Sequence, residues 1–443
     1  MKKILALVLC LTMAFSLAAC AELDALKNVE LPPPPSAKEK ETDQVPETPA
    51  PSPEARTVSE EENKTEPVGK LVIVRDEKTV IEDYDPAEGT QLILTFSYDT
   101  PKVYIEGMDE VSAKINEYIG VLDDTYYTGA TDTEYDVTAP VGYNMLLQEA
   151  QDNFTYYHDN NAENIPLEFS SVRDYDVERG DGNVLSLLFH TATYTGGAHG
   201  LYFDTGYVFD TQTGERLTLA DLSSDYDGLA AFLTGRMVEI AGSSEKYKEQ
   251  ITNITQEEYS QSFAKLLRDG SWYFNNEGMV IFSYPEEFGS YDAGILSFTI
   301  PYSDLEGKID AKFIPAEKKG TGEFGISAMK DVPEGSFQMI DKLNLLSEDT
   351  QAEELCLSAK GKVYDVRLVN VSYADKFYEL ETVWYASEMG DSALQLLTVI
   401  PDGIPNLMLK YRLADGTEQS FLVSQSGKDG SYILIDDDIE AVG

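Results

Sequence analysis

The chain has 443 residues, a formal net charge of −46 and 42% hydrophobic residues. This charge excludes nucleic acid as a partner and excludes electrostatic attachment to anionic lipid, because both carry charge of the same sign. A basic protein would be attracted instead, although solubility beside an anionic envelope explains the charge equally well. The length is sufficient for two or three domains.

The first 19 residues have the pattern of an export signal. Two lysines precede an apolar run over residues 4–17, which is too short to span a bilayer comfortably. The run ends in Leu17, Ala18, Ala19 and Cys20. These four residues resemble the lipobox of bacterial lipoprotein precursors. The resemblance implies a signal peptide over 1–19, lipidation of Cys20, and an extracytoplasmic chain that is lipid-anchored to the cell membrane. The alternative is an ordinary signal peptide in which Cys20 is incidental.

Residues 20–66 are predicted to be a disordered tether that follows the lipidated cysteine. They contain four consecutive prolines, Pro32–Pro35, and no aromatic residue. Such a segment cannot bury enough apolar surface to offset its chain entropy. The tether carries twelve acidic and five basic residues, and the signal carries two lysines, so residues 67–443 have a net charge of −41.

Residues 67–166 are predicted to form a first α+β domain. Apolar runs at 71–74 and 91–98 indicate strands. Helical spacing of apolar residues predicts a helix over 108–120, ended by Gly120, and a second helix over 141–158.

Residues 167–310 are predicted to form a second α+β domain. The strands predicted here are Leu167–Val177, Val184–Tyr194, Leu201–Phe209, Trp272–Phe274, Gly278–Tyr284 and Ile295–Pro301. A turn over 179–182 joins the first two strands, and helices are expected near 225–241 and 256–268. Because the strands and helices come in blocks, the pattern is α+β and not a βαβ repeat.

Residues 324–443 are predicted to form a β-rich domain with the strand spacing of a sandwich. Trp384 is a candidate core anchor, and Cys356 is expected to be a buried, inert thiol. The predicted fold class is therefore α+β: two tandem mixed α+β domains followed by a C-terminal all-β, sandwich-like domain.

A glycine-rich motif lies between two predicted strands of the second domain. It reads Tyr194-Thr195-Gly196-Gly197-Ala198-His199-Gly200, and further blocks follow at 209–222, 272–285 and 294–305. The ordered set resembles the extracellular domain of RsiV-type anti-sigma factors. The segment before it resembles the N-terminal domain of PdaC-type peptidoglycan deacetylases. The resemblance implies a cell-surface context, in which RsiV-type domains bind lysozyme and PdaC-type proteins act on peptidoglycan. It does not extend to a transmembrane helix or to a deacetylase catalytic domain.

The candidate binding or structural motif comprises Tyr194, Gly196, Gly197, His199 and Gly200. Glycines permit positive φ angles and close backbone approach. His199 is either a brace that holds a structural corner or a contact for a ligand.

No catalytic residue, metal or cofactor is predicted. The three histidines, His158, His190 and His199, are not at metal-ligand spacing. His190 lies in an apolar strand and is expected to be packed. The run 174–178 begins like a calcium loop, but Arg179 stands where that loop needs glycine. The acidic pairs at 286–287 and 436–438 are interpreted as solvated surface.

The favoured hypothesis is a non-catalytic binding lipoprotein that captures a basic protein such as lysozyme, or a wall component such as peptidoglycan. The first alternative is a hydrolase of wall glycan or peptide that uses scattered acidic residues. The second is a structural module of an envelope complex. A carboxylate pair with strongly shifted pKa values in a cleft would favour the hydrolase, and an exposed acidic face with tyrosines would favour binding.

Overall fold

The structure is a computed structural model. It describes residues 70–75, 79–86, 89–129, 141–159, 168–316, 318, 325–329, 337–338, 353–373, 376–390, 393–398 and 405–436. All of them belong to one compact unit, Pro67–Gly443. The predicted signal peptide, Cys20 and the tether lie outside the described residues.

The described residues form a mixed α+β fold, as the sequence predicts. Its α-helices are α1 (Asp109–Thr128), α2 (Tyr143–Asp159), α3 (Tyr226–Ser243), α4 (Glu245–Gln250), α5 (Tyr259–Phe263) and α6 (Tyr302–Leu305). Within these described ranges, no helix is both long enough and apolar enough to cross a membrane.

The strands within the described ranges fall into four sheets. In chain order they are β1 (Leu71–Arg75), β2 (Thr79–Tyr84), β3 (Leu92–Tyr98), β4 (Pro101–Ile105), β5 (Phe169–Gly180), β6 (Val184–Tyr194), β7 (Leu201–Asp210), β8 (Trp272–Phe274), β9 (Gly278–Phe282), β10 (Ser297–Pro301), β11 (Gly325–Met329), β12 (Phe337–Gln338), β13 (Glu353–Lys360), β14 (Val363–Tyr373), β15 (Phe377–Met389), β16 (Ala393–Thr398), β17 (Leu407–Arg412), β18 (Glu418–Gln425) and β19 (Tyr432–Asp436). The sheet orders are β19-β18-β17-β14-β15-β1-β4, β2-β3-β5-β6-β7, β10-β9-β8 and β11-β13-β16-β12.

The seven-stranded sheet joins the two ends of the described chain. Strand β1 pairs antiparallel with β15, with Val72 opposite Ala386 and Val74 opposite Trp384. All five residues of β1 are buried. Val72 and Val74 pack into the C-terminal core. Leu71 and Ile73 pack into the core beneath α1. A strand that is apolar on both faces needs cover on both faces, and only a central position in a sheet between two cores supplies it.

The five-stranded sheet also crosses a predicted boundary. Strand β3 pairs in parallel with β5, with Leu94 opposite Phe169. The division at residue 166 therefore runs through one sheet, and β2 and β3 extend the hairpins of the second segment.

Helix α1 continues two turns past Gly120, where the sequence predicts its end. The added turns are held by Tyr126, which is 4% exposed. Its ring stacks on Phe96 with 4.8 Å between ring centroids. The prediction was wrong because aromatic packing outweighs the modest cost of one glycine within a helix.

The C-terminal region is strand-rich, and its two sheets share one core. Trp384 is fully buried there, with Leu355 and Leu357 from β13 on the facing sheet. Trp384 is thus confirmed as a core residue. Cys356 is confirmed as a buried cysteine.

Candidate functional site

Strand β5 separates an apolar face from an acidic face. Tyr175 and Val177 are buried in the core beneath α1. The alternate residues Asp174, Asp176 and Glu178 therefore point to the other side of the sheet. The run that begins like a calcium loop is a strand. The residues that the structure describes contain no group of three or more His, Cys, Asp or Glu able to hold a metal ion.

His190 lies on the same face as these acids and bridges two carboxylates. It stands opposite Asp174 on β5 and opposite Asp204 on β7. Its Nδ1 lies 2.8 Å from Asp204 Oδ1 and its Nε2 lies 3.2 Å from Asp176 Oδ2. Burial lowers the pKa of His190, but the two carboxylate hydrogen bonds outweigh burial and raise it to about 10. Both ring nitrogens therefore donate, and the ring is an imidazolium.

His190 is partly buried, and carboxylates hold it in place of apolar side chains. Phe189, which precedes it on β6, points with Leu187 to the opposite face. Strand alternation assigns His190 to the acidic face, and its carboxylate partners come from neighbouring strands.

Glu178 occupies an irregularity in the sheet. The register between β5 and β6 shifts between Val177 and Arg179, so Glu178 has no partner on β6. Such bulges redirect a side chain and occur often beside functional sites. Burial and the nearby Asp176 raise the pKa of Glu178 to about 7. The hydrogen bond from His190 lowers the pKa of Asp176. Two carboxyl groups of one strand thus have opposite pKa shifts.

Asp176 and Glu178 line a cleft of about 280 Å³ between three sheets. We refer to this space as the cleft. The other described residues that line it are Asn275, Asn276 and Glu277 from the β8–β9 turn, Arg367 and Val369 from β14, Glu379, Leu380 and Thr382 from β15, Lys410 and Arg412 from β17, and Glu418 from β18.

A buried carboxylate, Asp365, organises the basic side of the cleft. Asp365 is 5% exposed and has a left-handed φ of 53°. It accepts a hydrogen bond from Arg367 at 3.1 Å and one from Asn276 at 3.2 Å. Arg412 Nε lies 3.3 Å from Oδ2 of Asp365, the oxygen that also accepts from Asn276. Left-handed residues other than glycine are uncommon and cluster at functional sites.

The predicted glycine motif forms the exposed connection between β6 and β7. Gly196 and Gly197 have φ angles of 91° and 98°, which favour glycine. A Cβ on Gly200 would lie 2.9 Å from the carbonyl oxygen of Thr193. Tyr194 donates a hydrogen bond to the carbonyl of Gly197 at 3.1 Å. The motif residues therefore do come together, and each glycine has a steric or conformational reason.

An aromatic stack covers this connection. The His199 ring stacks on Tyr291 with 3.9 Å between ring centroids, and Tyr202 contacts Tyr291 edge-on at 5.6 Å. Tyr291 donates a hydrogen bond to the carbonyl of Gly200 at 3.0 Å. Burial and the carboxylates of Glu286 and Asp292 raise the pKa of Tyr291. We define the hairpin surface as Tyr194, His199, Tyr202 and Tyr291 together with Asp204, Glu286 and Asp292.

The acidic residues at 286–287 and 436–438, which the sequence predicts to be solvated, differ in the structure. Glu287 accepts two hydrogen bonds from Arg268, at 3.0 and 2.8 Å, and one from the backbone N–H of Tyr284. It is therefore a structural group. Asp436 ends β19 and is exposed, whereas residues 437–438 lie outside the described residues.

Two family descriptions match parts of the chain. Residues 88–202 match the family described as deacetylase PdaC, and residues 238–303 match the protein family of unknown function DUF3298. The PdaC match runs past residue 166 and includes the whole glycine motif, in agreement with the continuous sheet. The chain thus contains a PdaC-like region and a DUF3298 region.

Two solved structures carry the DUF3298 description. A family member from Bacteroides fragilis is 13% identical over 56% of this chain and 96% of its own, with a TM-score of 0.41. A member from Pseudomonas aeruginosa is 15% identical over 54% of this chain and 96% of its own, with a TM-score of 0.34. No curated protein sequence matches the chain significantly.

Proposed function

We propose that this protein is a lipid-anchored, extracytoplasmic binding protein whose hairpin surface captures a cationic protein. The single observation that carries the proposal is the exposed stack of His199 on Tyr291, with carboxylates around it. Aromatic rings offer rigid contact area and attract cations above their faces. Neighbouring carboxylates add the charge that steers a basic partner into place.

The family resemblance supports lysozyme as the partner to test first. The glycine motif and the later blocks resemble RsiV-type extracellular domains, some members of which bind lysozyme. The net charge of −41 on residues 67–443 supports the same class of partner. The lipobox resemblance of Leu17–Cys20 supports the anchor.

The cleft contains the feature that would favour a hydrolase, a carboxyl pair with separated pKa values. The pair nevertheless lacks the strong general base that an inverting hydrolase needs. Asp176 is hydrogen-bonded to an imidazolium and has a lowered pKa, which makes it a weak general base. Incubation with purified peptidoglycan should therefore release no soluble glycan or peptide. Release that is lost in Glu178→Gln would favour the hydrolase instead.

The direct test is binding of the full chain, in detergent, to lysozyme over a series of salt concentrations. We expect binding that persists at moderate salt, because aromatic contacts are not screened, and that weakens in Tyr291→Ala. Tyr156→Ala is the matched control, since Tyr156 is a 65% exposed tyrosine on α2. An unrelated protein of similar positive charge controls for simple electrostatics. Equal loss of both proteins with salt would refute specific capture of lysozyme.

A further inference from the structure

The basic residues of the cleft already have partners. Arg367 donates hydrogen bonds to the carbonyl of Val177 at 2.8 Å and to Asp365 at 3.1 Å. Lys410 lies 2.9 Å from Glu379 and 3.4 Å from Glu418. Each positive charge therefore meets carboxylates of the seven-stranded sheet, which neutralise it.

Arg412 completes this neutralised wall. Its Nη2 lies 3.2 Å from Glu418, and its Nε lies 3.3 Å from Asp365. The wall consequently presents paired charges to the cleft, and the opposite wall, on β5, determines which ligand charge is preferred.

On the β5 wall, Glu178 has no such partner. It is half-buried, and it accepts no hydrogen bond from any described residue. Its neighbour Asp176 accepts a hydrogen bond from His190 through one of its two oxygens. A half-buried carboxylate without donors is costly, so a ligand that brings N–H donors and positive charge would bind there favourably.

The cleft also has an apolar wall. Val369 and Leu380 line the same space, and Leu380 is 57% exposed. A cleft of about 280 Å³ is below the usual range for drug-sized ligands, roughly 300–1,000 Å³. Lysine and arginine side chains combine an apolar stem with a cationic head, and this combination matches the two walls.

We propose that the cleft receives one lysine or arginine side chain of a partner protein, with its cationic group on Glu178 and Asp176 and its methylene groups against Val369 and Leu380. This inference rests on the proposed function, because it adds a second contact to the capture of a cationic protein. It places that contact on the same face of the five-stranded sheet as Asp204 of the hairpin surface, and His190 links Asp204 to Asp176 of the cleft.

The test uses small probes that need no intact partner. Blocked tripeptides Gly-Arg-Gly, Gly-Lys-Gly and Gly-citrulline-Gly are titrated into the full chain and followed by ligand-observed NMR at pH 8. We expect the arginine or the lysine peptide to bind and the neutral citrulline peptide not to bind. Glu178→Gln should weaken the binding about tenfold, because it removes one charged hydrogen-bond partner.

Glu149→Gln is the matched control, since Glu149 is an exposed glutamate on α2 outside the cleft. Thermal unfolding of both variants shows that they fold. Equal binding of the citrulline peptide, absence of binding by both basic peptides, or equal affinity in Glu178→Gln would overturn the proposal.

The affinity should also depend on pH. The charged and titratable groups that face Glu178 are Asp176, His190, Arg367, Asp365 and Tyr273. Because the pKa of Glu178 is about 7, its carboxyl group is mostly charged only above pH 7. His190, with a pKa of about 10, remains charged throughout. Binding of the basic peptide should therefore strengthen from pH 6 to pH 8 in the wild type and stay level in Glu178→Gln. A parallel rise in both proteins would contradict the assignment to Glu178.

Lysozyme binding by the same variants separates this proposal from the proposed function. Peptide binding that depends on Glu178, without any lysozyme binding, would support the cleft and refute lysozyme as partner. Lysozyme capture lost in Tyr291→Ala but unchanged in Glu178→Gln would support the hairpin surface and refute the cleft as part of that capture.

Discussion

The hairpin surface and the cleft both use the acidic face of the five-stranded sheet, but they are built in opposite ways. The hairpin surface comes mainly from one local hairpin, and one distant segment adds Glu286, Tyr291 and Asp292. The cleft combines strands from three sheets, and its hydrogen bonds join residues up to 190 positions apart, as between Arg367 and the carbonyl of Val177. An exposed local surface can change without disturbing the core. A cleft built around the buried carboxylate of Asp365 cannot, so substitutions there should affect stability as well as binding.

The largest effect is expected at Asp365. Asp365→Asn is compatible with the left-handed backbone conformation, because asparagine adopts it readily. The substitution removes the negative charge that pairs with both Arg367 and Arg412. Leaving charged partners of a buried carboxylate uncompensated should lower the free energy of unfolding by about 3 kcal/mol. Urea unfolding measures this change, with Asp124→Asn, an exposed aspartate at the end of α1, as control. A loss no larger than that of the control would show that the network does not support the cleft.

Glu178→Gln should have the next largest effect, and of opposite sign. The pKa of Glu178 is raised from 4.5 to about 7, so the folded protein binds this proton more tightly than the unfolded chain does. Ionisation therefore destabilises the fold as pH rises from 4.5 through 7. The glutamine variant should be more stable than the wild type by about 2 kcal/mol at pH 8 and equally stable near pH 4. Thermal unfolding at the two pH values checks this, and equal stability at pH 8 would contradict it.

His190→Gln should have a smaller, destabilising effect. The pKa of His190 is raised from 6.5 to about 10, so its stabilisation is complete below pH 6.5 and is lost as pH rises through 10. Its side chain is 36% exposed, and solvent screening reduces the contribution to about 1 kcal/mol near pH 6. The difference in unfolding free energy between the two proteins should shrink steadily towards pH 10. A difference that does not change with pH would indicate packing and not charge.

The two regions differ in how far the sequence predicts them. The strands that flank the glycine motif follow from alternation and turn residues, and β6 begins and ends where predicted, at Val184 and Tyr194. The local motif therefore specifies its own geometry. The short strands β2 and β4 contain charged residues or proline, so the alternation of apolar residues does not predict them. They form because they pair with neighbouring strands in the folded protein.

The cleft illustrates the limit of local patterns. The alternation over 174–178 does place three carboxylates on one face, and that signal was available in the sequence. The arrival of Arg367 and Arg412 opposite them depends on β1 joining the C-terminal sheet, a pairing across more than 300 residues. The hydrophobic periodicity of one segment does not indicate which distant segment pairs with it. The residues of the cleft could therefore be brought together only from the three-dimensional structure.

The smallest effect on stability is expected at the hairpin surface. His199 is exposed, and its ring meets Tyr291 outside any core. His199→Ala should therefore change the free energy of unfolding by less than about 0.5 kcal/mol. Binding of a cationic partner should nevertheless weaken, because the variant removes one ring of the stack. A surface that is dispensable for folding but required for binding is what the comparison with the cleft predicts. Equal binding by His199→Ala and the wild type would instead make the motif a structural corner and leave the cleft as the remaining candidate contact.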